Sequence, residues 1–287
     1  MALKIRFRPK AKVLLTVCFF LSGLAMNAFA QEAETATTEA ARWKKKPAFA
    51  LEIGSFFPTI ETIIRTDSTG EAQGTPIDLE DDLGLDRNPV MIRFDGDIRI
   101  ASWFSVDLAY YGFRRSQSKV INKDITIGDT VFPVSRTLTT SLTTNYWNAE
   151  LKFYLFNRSR WDFGLYAGLN LARYKLHVQA EDIDRQLLEI KKIWAPVPSL
   201  GVHFSYTILP KLYLYGKAGY FKFSPKKRLD FDSSTVAVNL DYYFYKFLGM
   251  GARYEYSHFY LGLDVKDFKG QVKYDLSGVN VYLTLGF

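Results

Sequence analysis

The 287 residues are 48% hydrophobic and 16% aromatic, contain one cysteine and have a formal net charge of +7. Residues 1–30 supply five of the basic side chains and no acids, which leaves 32 basic against 30 acidic residues, so the charge gives no argument for a nucleic-acid partner. Beyond residue 30 no apolar run approaches the roughly 18 residues of a spanning helix, and no Walker loop, zinc-ligand spacing or nucleophile elbow is present, so no cofactor or metal is expected.

The chain opens with Lys4, Arg6, Arg8, Lys10 and Lys12, an apolar run from Val13 to Ala25, and Ala28-Phe29-Ala30 before Gln31. This is the pattern of a secretory signal peptide over residues 1–30. Cys18 lies in its apolar run, and Val17 is too large for the small residue a lipobox needs. The exported part then has no cysteine, and its stability must come from something other than disulfides. Residues 31–47 are polar, rich in Ala, Thr and Glu, and end in Trp43 followed by Lys44, Lys45 and Lys46. They read as a disordered periplasmic lead with an interfacial anchor.

From residue 48 a period of two recurs, the mark of strands with one apolar face. Phe49, Leu51 and Ile53 oppose Ala50, Glu52 and Gly54 until Pro58, where the pattern is expected to break. Ile92, Phe94, Ile98 and Ile100 oppose Arg93, Asp95, Asp97 and Arg99, and a turn at Ala101-Ser102-Trp103 reverses the chain. Phe104, Val106 and Leu108 oppose Ser105, Asp107 and Ala109. Trp147, Ala149, Leu151 and Phe153 oppose Asn148, Glu150 and Lys152. Strands starting at Trp161 and Ser199 follow, then others near Leu212, Val236 and Leu248. With the last strand that makes ten, or eight if the hairpin around 212–245 lies outside the wall. The segment Asp182–Trp194 reads either as a short amphipathic helix or as strand.

Connections near 101–103, 157–160, 209–211 and 245–247 are short, whereas those near 68–87, 122–132, 181–190, 229–233 and 265–270 are mostly longer and polar. Such asymmetry is how transmembrane barrels are built, with short turns on the periplasmic side. Trp103, Phe104, Tyr154, Phe156, Trp161 and Tyr243 to Tyr245 cluster at the short turns. Tyr110, Tyr111, Phe113, Tyr256, Phe259 and Tyr260 lie about one membrane thickness above, as two interfacial belts would.

The final nine residues alternate without a break: Val279, Val281, Leu283, Leu285 and Phe287 on one face, Asn280, Tyr282, Thr284 and Gly286 on the other. In this the chain resembles the outer-membrane β-barrels of Gram-negative bacteria, whose last strand ends in Phe behind alternating apolar residues. The resemblance implies an antiparallel, up-and-down transmembrane barrel over 48–287. It also implies that Val281, Leu283, Leu285 and Phe287 form the signal read by the barrel-assembly machinery. The acidic stretch from Pro76 to Asp86 resembles a segment just after the first strand of uncharacterised small barrels of this kind, and names no activity.

Several residues could carry chemistry. Glu52, Arg93, Asp95, Asp97, Arg99, Asp107, Glu150, Lys152, Arg253 and Glu255 face the lumen, with Asp162, Lys217 and Asp241. They form either an ion path or, favoured for so narrow a barrel, a salt-bridged plug. His203 and Ser205 form an inward His-x-Ser similar to that of outer-membrane lipid A deacylases, but Lys217 and its neighbours stand where the third member, an acid, is needed. A structural histidine is the preferred reading. Asp78, Glu80 and Asp82 have the alternate spacing of a calcium loop, yet Leu83 and Pro89 occupy the positions of the required Gly and Glu, which excludes an EF-hand and leaves a looser Ca²⁺ or lipopolysaccharide-bridging site as the minor reading. Pro196 and Pro198 remove two ladder donors on one seam, either at a bulge or at a lateral opening near the outer leaflet.

The expected protein is thus an integral, monomeric outer-membrane barrel, exported by its signal and surrounded by outer-membrane lipid and lipopolysaccharide. It is read as non-enzymatic, structural or binding through its loops, with a mostly plugged polar lumen. A narrow, porin-like pore for small solutes or ions is the second reading and a lipid-handling barrel with a lateral opening the third.

Overall fold

The computed structural model describes residues 47–67, 74–127, 130–180, 187–189, 193–225, 229–265 and 268–287. The expected signal segment, nearly all of the lead and residues such as Ile183 and Ile190 lie outside them. In chain order the strands are β1 (Phe49–Thr66), β2 (Ile77–Asp78), β3 (Met91–Ala101), β4 (Phe104–Val120), β5 (Ile125–Ile127), β6 (Thr130–Phe132) and β7 (Thr137–Asn157). They continue with β8 (Trp161–Ala180), β9 (Leu187–Glu189), β10 (Ile193–Leu209), β11 (Leu212–Phe223), β12 (Leu229–Tyr243), β13 (Leu248–Val265) and β14 (Phe268–Gly286). No helix occurs among the described residues.

Ten of these strands form a closed antiparallel ring, in the order β1, β3, β4, β7, β8, β10, β11, β12, β13, β14 and back to β1. The hairpin around 212–245 is therefore part of the wall. The closing pair runs in unbroken register from Ala50 opposite Gly286 to Thr66 opposite Gly270. Phe49 and Phe287 exchange both backbone hydrogen bonds, at 3.1 and 2.8 Å. Following cross-strand partners once round the ring leads from Ala48 to Ile60, a stagger of about twelve residues, which tilts the strands by roughly 40°. At that tilt each residue climbs about 2.5 Å along the barrel axis, so ten to twelve residues span a hydrocarbon layer of about 25–30 Å.

Alternation decides which way each side chain points. In β1, Ala50, Glu52, Phe56 and Ile60 are buried while Leu51, Ile53 and Phe57 are exposed, and the lipid-coloured face recurs on every wall strand. The four short turns lie where the sequence places them. The strands, however, run much further than a membrane requires: β7 has 21 residues and β8 has 20. Pro58 does not interrupt β1. Ile60 donates its backbone N–H to Arg87, so Pro58, two residues earlier, turns the same edge of the strand toward a place where pairing with β3 has already ended at Phe56 opposite Met91. Its missing donor costs no ladder bond.

Other expectations are revised for the same reason. Leu229–Ser233, expected as a connection, belong to β12, and Phe268–Gly270 to β14. The connection near 122–132 contains the hairpin of β5 and β6. Within Asp182–Trp194, residues 187–189 are strand paired with β8 and Trp194 lies in β10, so helix is excluded there. The belts are also thinner than expected. Tyr111, Tyr243 and Phe259 are buried, Phe113 packs on the interior core, and Tyr154 stacks edge-on against His203, so all five face inward.

Candidate functional site

The lumen has two levels of opposite chemistry. At membrane height the inward positions of β1, β3, β4, β7, β11 and β13 bring the charges together. Arg93 bonds Asp95 at 2.9 Å and Glu255 at 2.7 Å, while Arg253 bonds Glu52 at 2.6 Å and Asp95 at 2.7 Å. Lys217 reaches from β11 to Glu150 on β7 at 2.6 Å, and Lys152 sits against Asp107 with Asp97 at 3.6 Å. Arg99 lies 3.6 Å from Asp162 with its guanidinium 4.2 Å above the Tyr154 ring. Asp241 accepts from the Tyr282 hydroxyl. All ten residues singled out from the sequence point into the lumen, and nine of them, all but Arg99, line one small cavity. The cavity left among them is about 40 Å³, room for only a few waters.

Above this level the interior turns apolar, which revises the expectation of a polar lumen throughout. The inward parity of β1 continues as Phe56, Ile60 and Ile64; that of β8 as Tyr174, Leu176 and Val178, all buried. Two loops descend to complete this core. Ile77, Leu79, Leu83 and Leu85 come from the segment between β1 and β3, and Ile121, Ile125, Ile127 and Phe132 from the hairpin region between β4 and β7. Burial of these groups supplies the driving force that holds the loops in the mouth.

The acidic stretch serves this plug. Glu80 accepts from Arg115 at 2.5 Å and from the Thr62 backbone N–H at 2.7 Å, and Arg115 also reaches the Asp86 carbonyl at 3.0 Å. Burial pushes the Glu80 carboxyl above its usual range, although the Arg115 guanidinium pulls it the other way. Asp78 accepts from the N–H groups of Glu80 and Asp81, while Asp82 takes the Asp78 N–H at 3.0 Å and Lys123 at 2.8 Å. The alternate acids therefore fold a turn on themselves, and among the described residues no three of the ligating side chains converge as a metal site would require.

His203 is sealed inside the wall, with Tyr154 edge-on at 4.8 Å and Tyr215 stacked at 6.4 Å. Gly164 makes its place: any side chain there would overlap the imidazole and the Phe153 carbonyl. The Ser205 hydroxyl donates to Asp162 at 3.2 Å, so the His-x-Ser pair does not form the hydrogen-bonded relay that acyl transfer needs.

Pro196 and Pro198 lie opposite Leu171 and Leu169 of β8. Thr207 gives its N–H to Arg160 at the foot of β8, so odd residues of β10 face β8 and the two prolines face β11. The ladder between β10 and β11 ends at Gly201 opposite Gly219, while β11 continues to pair with β12 as far as Phe223. A side chain on either glycine would overlap the Tyr166 ring, which lies across that last row. Above it the Ser233 hydroxyl of β12 donates to the Pro198 carbonyl at 3.2 Å. Past that row the wall between these two strands has no ladder bonds.

At the closing strand Val281, Leu283, Leu285 and Phe287 all point outward, Phe287 being 72% exposed with its ring 6.5 Å from that of Phe49. Sequence reasoning missed the apolar upper core and the Glu80–Arg115 clasp. The signal was available in the inward positions, which change from charged to aliphatic past Gly54 and past Asn170.

No family model and no curated protein matches the chain. Among solved structures it is similar to the outer membrane protease OmpT from Escherichia coli, at a TM-score of 0.56 and 15% identity over 83% of this chain and 96% of that one. The translocator domain of the autotransporter NalP from Neisseria meningitidis matches at 0.42 and 11% identity, covering 93% of this chain and 98% of its own. The beta domain of the Bordetella autotransporter BrkA matches at 0.45 and 12%, covering 85% and 100%. At these identities the likeness concerns the fold, and what those proteins do is not carried over. Strand order, closure and likeness agree: the chain has the fold of a Gram-negative outer-membrane β-barrel, with ten strands.

Proposed function

We propose that the protein is an integral, non-enzymatic outer-membrane barrel with a sealed lumen, which acts through its outer rim and outward surface. The observation that carries this reading is the double closure. A solute would have to break paired charges at membrane height and then displace an apolar core with two loops packed into it. Membrane placement is supported by an exposed apolar face, in which Leu51, Ile53, Leu108, Leu165, Val238 and Leu283 are each more than 40% exposed in the isolated barrel. The bonding of Ser205 to Asp162 supports a role without catalysis. In planar bilayers the purified barrel is expected to give no stable open-channel steps. Long-lived conducting steps would favour a narrow pore instead.

One observation favours a second reading. The stretch without ladder bonds between β10 and β11 lies at the level of the outer leaflet, over the buried Ala195 and Val197. It suits a barrel that admits an apolar chain sideways.

A further inference from the structure

Across three neighbouring wall strands the register sets carboxylates side by side. Asp97 of β3 stands directly opposite Asp107 of β4, and Asp107 directly opposite Glu150 of β7. Side chains so placed are about 5 Å apart, and like charges there repel. The row lies below the stacked indoles of Trp147 and Trp194, 5.7 Å apart on the outer wall, and behind the exposed Leu108 and Leu151. In the membrane placement proposed above, lipid rather than water surrounds it, so the repulsion is poorly screened.

The charges around the lumen cavity do not balance. Six acids line it against four bases, Arg93, Lys152, Lys217 and Arg253, which leaves two negative charges over. Arg99 and Asp162 lie outside it and answer each other. Asp97 and Asp107, which share Lys152, can hold one proton between them as closely placed carboxyl groups do. One negative charge still remains.

The atoms of the lining show where it is met. Lys217 and Asn148 both donate to Oε1 of Glu150, and Lys152 contacts Oδ2 of Asp107. Glu150 Oε2 and Asp107 Oδ1 are buried with no hydrogen-bond partner, and so is Oδ1 of Asn239, a residue only 6% exposed. The three residues border the same cavity, and each brings an unmet acceptor oxygen to it. We propose that this cavity binds one monovalent cation of about sodium size. Carboxylate and amide oxygens are the ligands that such a hard ion takes. The volume of about 40 Å³ holds it with roughly two waters, and its charge completes the balance. A divalent ion suits the site less, because among the described residues no three carboxylates converge.

The test folds the full mature protein in uncharged detergent at one pH and one ionic strength. The salts are sodium chloride and the chloride of N-methyl-D-glucamine, a cation too large for the cavity, and the readout is the midpoint of heat modification. Sodium should raise the midpoint by about 3 °C or more, saturating as it replaces the larger cation. Asn239→Leu removes the amide oxygen and should abolish the sodium-specific rise, whereas Asn239→Asp adds a charged oxygen and should enlarge it. Lys273→Ala on the outer surface should leave it unchanged. Equal midpoints of the unmodified protein in the two salts overturn the site without need of any variant. A rise that survives in full in Asn239→Leu overturns it too, since the ion would then bind elsewhere. If Asn239→Leu does not fold, a rise no larger in Asn239→Asp than in the parent has the same force.

Discussion

Glu80 and Arg115 bond at 2.5 Å although 35 residues separate them, and both side chains are closed to solvent. One stands on the loop after β2 and the other on β4, so a single ion pair ties the mouth plug to the wall. Arg115→Ala leaves a buried carboxylate without its partner and should cost about 3–5 kcal/mol. Limited proteolysis should then cut the segment between β2 and β3 while the barrel stays heat-modifiable. An uncut loop in this variant would mean that apolar packing alone holds the plug.

The same carboxyl gives a pH dependence of known sign. Its folded pKa is raised above the ordinary 4.5, so its contribution to stability is fully present below about pH 4.5 and is lost as pH rises through the folded value. Thermal melts of the unmodified protein should therefore fall in stability across that rise, and Glu80→Gln should flatten the slope. An identical slope in Glu80→Gln would assign the effect to another group.

At membrane height, Arg253 bridges Glu52 and Asp95, so Arg253→Ala leaves two carboxylates facing each other in a confined space. The expected cost is again about 3–5 kcal/mol, read as a lower temperature of heat modification. Cation-selective leakage in planar bilayers should accompany it. A variant as stable and as silent as the parent would show that the network is not what closes the lower level.

Closure of the ring depends on β14, whose outward residues meet lipid and whose backbone completes β1 and β13. Deleting Phe287, or introducing Leu285→Asp on the lipid face, should reduce insertion and leave protease-sensitive protein in the periplasm. Normal yields of heat-modifiable barrel in both would remove this strand's role in assembly.

The seam between β10 and β11 makes the opposite kind of prediction, a gain. Pro196→Val with Pro198→Val restores two donors toward β11 and should raise stability by about 1–2 kcal/mol. A cysteine pair across the gap, once cross-linked, should also block uptake of a fluorescent fatty acyl probe. Unchanged melting and unchanged uptake would leave the prolines as a local irregularity of the wall.

How far the sequence could be read depended on which solvent each residue meets. Leu283, Ile53 and Leu151 face lipid, which tolerates no compromise, so their alternation was clear and the ten strands with their four short turns followed from it. Above the membrane the outward face becomes polar and the inward face apolar. The contrast between faces thus reverses near Phe56 and Ala172, where strand assignment from a lipid-facing stripe stops. Tyr111, Tyr154 and Phe259 look like girdle residues by position, but parity turns them inward, where the rings of Tyr111 and Phe259 fill space above the charges and that of Tyr154 space below them. Glu80 and Arg115 could not be paired in advance, because the fold of the intervening loop brings them together.

The stacked indoles of Trp147 and Trp194 have a consequence for measurement. They sit on β7 and β10, on either side of β8, so their 5.7 Å contact exists only while three strands keep their register. Two transition dipoles at that separation couple, which should give the native protein a paired positive and negative circular-dichroism band that neither ring produces alone. The wall therefore carries its own optical reporter, able to follow assembly of its middle strands in any lipid without an added label.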